Sequence, residues 1–213
     1  MYFNVLNKNQ LEIFPRLSFL EKLGFYLAGG TACALQIGHR TSLDFDFYNP
    51  KHFEALSLYN KIENIFESDC EKISQAKDTL LCKVDNVDLS FFWYSHKLIK
   101  SPVKSQGILL ASLEDITAMK LIAIGGRPAQ RDYIDIFYLL KKFTLEEMFA
   151  FGYKKYRNFN HYLCLRALTY FEDVDDSNKR SIQILDPDFY WQKAKNKIFA
   201  EVKKYQLSIL RQP

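Results

Sequence analysis

Residues 26–48, YLAGGTACALQIGHRTSLDFDFY, leave this chain few ways to fold. The apolar run Phe25–Ala28 reads as a short strand, and the pair Gly29-Gly30 as the turn that ends it. TACALQI then reads as a short helix closed by Gly38, and SLDFDFY alternates as a second strand. On a strand, residues two apart share a face. Asp44 and Asp46 therefore point one way, and Phe45 and Phe47 point into the core. Two carboxylates on one face repel each other, so something must compensate them.

An oxygen-seeking divalent cation, Mg²⁺ or Mn²⁺, is the natural compensation. Gly29, Gly30 and Thr31 open a helix, where free N–H groups and the positive dipole end favour an anion. Small residues also let backbone approach a phosphate closely. A cation seat beside a phosphate seat is the minimum apparatus for metal-assisted phosphoryl chemistry. VDLSFFWY supplies a third carboxylate, because Asp88 alternates with the apolar Val87 and Leu89. If that strand neighbours the Asp44 strand, Asp88 becomes a second metal ligand or the proton acceptor for an attacking hydroxyl. Arg40 reads either as part of a capped helix end or as a phosphate contact, and Ser42 sits in the same turn. His39 has no nearby base partner and reads as structural. The N-terminal domain offers no lysine near the site, and the P-loop pattern GxxxxGK[ST] is absent.

Further elements follow from spacing. NQLEIFPRLSFLEKLG reads as a helix ending at Gly24, with a bend or late start at Pro15. NPKHFEALSLYNKIENIFE reads as a helix starting near Asn49 or Pro50. TLLCKV and VDLSFFWY flank Asp85-Asn86 as a hairpin. Ser112 and Asp115 resemble a capping box for SLEDITAMKLIAIG, which stops at GGRP. AQRDYIDIFYLLKK and TLEEMFAFGYKKY continue as helices, and Asp186-Pro187 reads as the cap and first turn of the last one. Strands thus cluster in the first half and helices in the second. This predicts an α+β domain over 1–110 followed by a helical bundle over 111–213, the boundary falling within 107–143.

Two blocks now carry a resemblance. A GG[ST] turn, then DxD, then a later strand Asp resembles the DNA polymerase β-type nucleotidyltransferase superfamily. The wording LAGGTACALQIGHRTSLDFDFY, with KLIAIGGRPAQRDYIDIFYLL at 120–140, is similar to the AbiEii/AbiGii toxin family of bacterial nucleotidyltransferases. Thr31 stands where many relatives carry serine, and the hydroxyl is kept. The resemblance implies a polymerase β-like mixed sheet with helices. It implies an NTP donor, Mg²⁺ as cofactor, and transfer of a nucleoside monophosphate to an acceptor, tRNA ends among them. It implies the toxin half of a toxin–antitoxin or phage-defence pair, with an antitoxin encoded nearby. By the same resemblance Thr31, Asp44 and Asp46 form the nucleotide and metal group, beside the anion site read at Gly29 and Gly30. Lys120 would meet the triphosphate or the acceptor, with Arg131 a second cation and Asp132 and Asp135 in support.

Other features weigh towards plainer readings. Arg131 and Asp135, at i,i+4, could form a surface salt bridge, and Lys120 an exposed helix lysine. EDVDD at 172–176 lacks the Gly and terminal Glu of a calcium loop and reads as a solvated acidic turn. FFWYSH at 91–96 could stack bases, though strand spacing puts much of it in the core. Lys193, Lys195, Lys197, Lys203 and Lys204 form either a solvated basic face or an RNA-facing stripe. The four cysteines lack metal-ligand spacing, which predicts reduced thiols without zinc or disulfides. Twenty-nine Lys and Arg against 25 Asp and Glu permit an anionic partner without demanding one. No apolar run approaches the roughly 20 residues of a bilayer span, and no leader pattern opens the sequence, so a cytoplasmic protein is expected. Two other functions remain open: transfer to a small molecule, as in antibiotic-modifying relatives, and a non-catalytic RNA-binding module. Three intact aspartates, Asp44, Asp46 and Asp88, speak against the latter.

Overall fold

The computed structural model describes residues 1–126, 129–172, 174 and 182–210. The chain forms two compact units, Met1–Ser112 and Leu113–Pro213.

In the first unit, α1 (Lys8–Ile13) opens with a capping box between Asn7 and Gln10. Pro15 interrupts it, and Pro15–Leu23 continues as 3₁₀ helix to Gly24 at φ 83°. Then come β1 (Tyr26–Ala28), α2 (Gly29–Ile37), β2 (Asp44–Asn49) and α3 (Ala55–Phe66). The remaining strands are β3 (Cys70–Ala76), β4 (Thr79–Val84), β5 (Val87–Trp93), β6 (Val103–Ser105) and β7 (Ile108–Leu110). Among the described residues they form a seven-stranded sheet in the order β3-β4-β5-β2-β1-β7-β6. It is mixed: β2 runs parallel to β5 and β1 parallel to β7, while the other pairs are antiparallel.

One sheet face is core. Phe45, Phe47 and Phe91 are fully buried, with Phe47 and Phe91 stacked at 5.4 Å between centroids. Phe14 reaches Phe45 at 5.6 Å and Phe25 reaches Phe91 at 5.5 Å, so the N-terminal segment closes this face. Fully burying each such ring contributes on the order of 2–3 kcal/mol.

Two boundaries differ from those read in the sequence. The strand runs on to Asn49, and α3 starts only at Ala55. Asn49 is buried, donates to the Leu23 carbonyl at 2.9 Å and accepts from the Lys51 N–H at 3.0 Å. The Phe53 N–H goes to Asp78 Oδ1 at 3.0 Å. Side-chain bonds thus hold residues 50–54 in a loop that helical spacing alone would have absorbed. Strands β3, β6 and β7 were not anticipated. β3 is a polar edge strand whose residues are mostly exposed, so it shows no apolar alternation. β6 and β7 are three residues each, joined by Gln106-Gly107 with both φ positive, a type I′-like turn.

The second unit contains α4 (Leu113–Gly126), α5 (Gln130–Leu139), α6 (Leu145–Lys155), α7 (His161–Thr169) and α8 (Trp191–Leu210). α6 carries a capping box between Thr144 and Glu147, and α7 is capped by Asn160. α8 buries Ala194, Ile198 and Val202, one residue per turn. Asp115, read above as part of a cap, ion-pairs with Lys155 at 2.7 Å, both side chains fully buried. Asp186 does not cap α8, which begins five residues later. It accepts the Asp188 N–H at 3.0 Å and the Tyr138 hydroxyl at 2.8 Å, tying the segment before α8 to α5. In the acidic stretch 172–176, Asp173, Asp175 and Asp176 lie outside the described residues, as do Arg127 and Pro128 of GGRP. Among the described residues no helix is long and apolar enough to cross a membrane. All four cysteines are free thiols.

Candidate active site

Parallel pairing of β2 with β5 sets Asp44 directly beside Asp88 and Asp46 beside Ser90. Because the pleat alternates, all four side chains share the sheet face opposite the phenylalanine core. The three aspartates are half-buried, while their strand neighbours Phe45, Phe47, Leu89 and Phe91 are fully sealed. The strand that was required to lie beside Asp44 does so, in a register that aligns the carboxylates. An all-oxygen donor set on two adjacent strands suits a hard divalent cation.

The glycine turn is fitted to these carboxylates. Ala28 pairs with Asp46 across β1 and β2, and Gly29 follows at φ 68°. A Cβ at Gly29 would lie 2.8 Å from Asp46 Oδ2, so the carboxylate packs against bare backbone. Ala28 caps α2 without a side-chain bond, which leaves the first-turn N–H groups to other partners. The Arg40 guanidinium lies over this turn: a Cβ on Gly30 would stand 2.5 Å from Nη2. Arg40 is 1% exposed, and its Nη1 donates to the Thr41 carbonyl at 3.0 Å.

Thr31 and Ser42 are also buried. The Thr31 hydroxyl is 2.7 Å from Ser42 Oγ and within hydrogen-bonding reach of the Asp44 carbonyl. It therefore ties the start of α2 to the start of β2 and fixes where Asp44 emerges. His39 is buried beside this turn in sequence.

Lys83 corrects the expectation that this unit lacks a lysine near the site. On β4 it pairs in register with Asp88, and its Nζ stands 3.8 Å from Asp88 Oδ1. The signal was in the sequence. Asp85 and Asn86 both have positive φ and form a two-residue turn. That turn sets Val84 opposite Val87, and hence Lys83 opposite Asp88.

The candidates of the second block lie in the helical unit. Lys120 on α4 reaches Asp132 Oδ1 at 2.5 Å and Asp135 Oδ2 at 2.6 Å, both on α5. All three residues are buried, and Asp132 Oδ2 has no hydrogen-bond partner among the described residues. Lys120 is thus not an exposed helix lysine. Arg131 is half-buried, whereas Asp135 is fully buried against Lys120, so a surface bridge between Arg131 and Asp135 does not describe this helix. Burial first, then the neighbouring Asp132 charge, pushes the Tyr133 phenol up to about 12.

The fold has counterparts among solved structures. Over its full length the fold is similar to JHP933 from Helicobacter pylori, with a TM-score of 0.58, 16% identity, and coverage of 97% of this chain and 100% of that one. It is similar to MenT4, a nucleotidyltransferase toxin of Mycobacterium tuberculosis, with a TM-score of 0.57, 13% identity, and coverage of 92% and 82%. In sequence it is 35% identical over 207 residues to the uncharacterised protein aq_aa25 of Aquifex aeolicus, covering 94% of this chain and 97% of that one. Residues 18–204 match the family described as nucleotidyl transferase AbiEii toxin, type IV toxin–antitoxin system. The chain belongs to the AbiEii family of nucleotidyltransferase toxins.

Proposed function

We propose that this nucleotidyltransferase moves a nucleoside monophosphate from an NTP to an RNA acceptor of the tRNA class in a Mg²⁺-dependent reaction. The observation that carries the reading is the in-register alignment of Asp44 with Asp88, with Asp46 on the same face. Asp44, Asp46 and Asp88 would hold the metal, with Mn²⁺ as a substitute. When bound, it neutralises the triphosphate and supplies Lewis-acid polarisation at the α-phosphorus. The N–H groups at Gly29, Gly30 and Thr31 contact phosphate oxygens, and buried Arg40 adds charge behind the turn. Thr31 and Ser42 position that turn through their mutual hydrogen bond. Asp88 also accepts the proton of the attacking hydroxyl. Lys120, oriented by Asp132 and Asp135, together with Arg131, serves charge on the leaving pyrophosphate or the acceptor.

The RNA acceptor draws support from charge. Residues 113–213 hold 17 Lys and Arg against 13 Asp and Glu, so the helical unit carries the whole net charge of +4. An RNA acceptor and an NTP donor imply a cytoplasmic reaction, which a partner antitoxin encoded nearby would restrain.

The test is incubation with each labelled NTP, Mg²⁺ and total RNA, with an aminoglycoside as competing acceptor. Label in an RNA of tRNA size, lost in Asp44→Asn, is the expected result. Label on the aminoglycoside alone, or none with any NTP, overturns the reading.

A further inference from the structure

We propose that Lys83 is a phosphate-binding residue of this site, parked on Asp88 until metal and nucleotide arrive. This rests on the proposed role of the three aspartates.

The sheet face explains the assignment. Across it one row reads Glu71, Lys83, Asp88, Asp44, by the register of β3, β4, β5 and β2. Lys83 is the cation within a row of three carboxylates, and it keeps 39% side-chain exposure. At 3.8 Å from Asp88 Oδ1 its contact is long for a charge-assisted hydrogen bond. Such a half-exposed pair is weak and readily exchanged. Lys83 stands two strands, about 9.6 Å, from Asp44. A triphosphate lying across the carboxylates is shorter than that separation, and the flexible four-carbon stem of Lys83 makes up the difference. When a divalent cation takes Asp88, the ammonium loses this pairing. Its other anions are then Glu71, across on β3, and the incoming phosphate chain, which carries the larger charge. Lys83 therefore opposes metal binding alone and favours binding of the metal–nucleotide complex.

Those two effects have opposite signs, which a cross-strand pair that merely steadies the sheet would not produce. The experiment compares wild type, Lys83→Met, Lys83→Arg and Asp44→Asn. Mn²⁺ binding without nucleotide is read by electron paramagnetic resonance, and Mg²⁺–NTP binding by equilibrium dialysis. Circular dichroism melts confirm folding. Lys83→Met should bind Mn²⁺ alone about 2- to 5-fold more tightly, the size expected for removing a half-exposed ion pair. It should bind Mg²⁺–NTP on the order of tenfold more weakly, as for loss of a charged phosphate partner. Lys83→Arg should restore most of the nucleotide affinity. If Asp44→Asn abolishes Mn²⁺ binding while Lys83→Met changes neither affinity, the role of Lys83 is overturned and the aspartate site stands. If wild type and Asp44→Asn bind Mn²⁺ and NTP alike, both readings fall.

Discussion

At the scale of single residues, the site depends on atoms that are missing as much as on those present. Gly29 has a positive φ and bare backbone against Asp46. Gly29→Ala should cost about 1–2 kcal/mol from the left-handed backbone alone, and should displace the Asp46 carboxylate. A melt and a label-transfer assay on the variant check both effects. Thr31 tests the hydroxyl. Thr31→Ser should stay near wild type, whereas Thr31→Val leaves the buried Ser42 hydroxyl without its partner, a loss of roughly 1–3 kcal/mol by denaturant titration. Lys120→Ala is a harsher change than an exposed helix lysine would make it. It strips the common partner from Asp132 and Asp135, so about 3–5 kcal/mol of stability should go with it. Turnover of that variant must be normalised to the folded fraction, and on that basis should still fall on the order of 10²-fold.

At the scale of elements, two further polar links join parts of the helical unit. Lys155 on α6 and Asp115 on α4 form a sealed pair. Lys155→Met alone should destabilise by about 3–5 kcal/mol, and adding Asp115→Leu should recover much of it, because the orphaned charge is the main penalty. A double-mutant cycle of thermal melts reads this. The second link is Asp186 to α5. The Tyr138 hydroxyl first, then the Asp188 N–H and Lys141, outweigh desolvation and hold the Asp186 carboxyl below its usual range. A depressed carboxyl stabilises the fold above its unfolded pKa, and that contribution is lost as pH falls through the folded value. Asp186→Asn should therefore raise the acid-unfolding midpoint pH and flatten the dependence below about pH 4. Elements were legible where burial has a period. The strand Asp44–Asn49 and the hairpin around Asp85-Asn86 show theirs plainly. β3 was not legible, since an edge strand with exposed side chains has no apolar rhythm, and the start of α3 was hidden by side-chain bonds at Asn49 and Asp78. The shared sheet face of Asp44, Asp46 and Asp88 was legible for the same reason as the strands. Lys83 required the register that only a turn type supplies.

At the scale of the whole molecule, charge divides unevenly, with the excess in residues 113–213. On α8, Lys197 is engaged by Glu201 at 2.7 Å and Lys193 donates to the Asp188 carbonyl, while Lys203 and Lys204 stay exposed. RNA affinity should fall with salt, and Lys193→Ala/Lys197→Ala/Lys204→Ala should make the log–log slope shallower by about 0.7 for each phosphate no longer neutralised. An unchanged slope would remove α8 from the RNA surface. The parallel pairing of β2 with β5 also has a consequence in time. Asp44 and Asp88 are 44 residues apart, and Leu27 on β1 waits for Leu110 on β7. A hairpin such as β4–β5 closes in about 1–10 μs, but distant parallel partners meet late and slowly. On the ribosome, at about 5–20 residues per second, Asp44 emerges seconds before the strand that completes its site. A growing or truncated chain that stops short of Val87 has no aligned carboxylates, so on the proposed role of the three aspartates no nucleotide can be transferred until β5 has paired with β2.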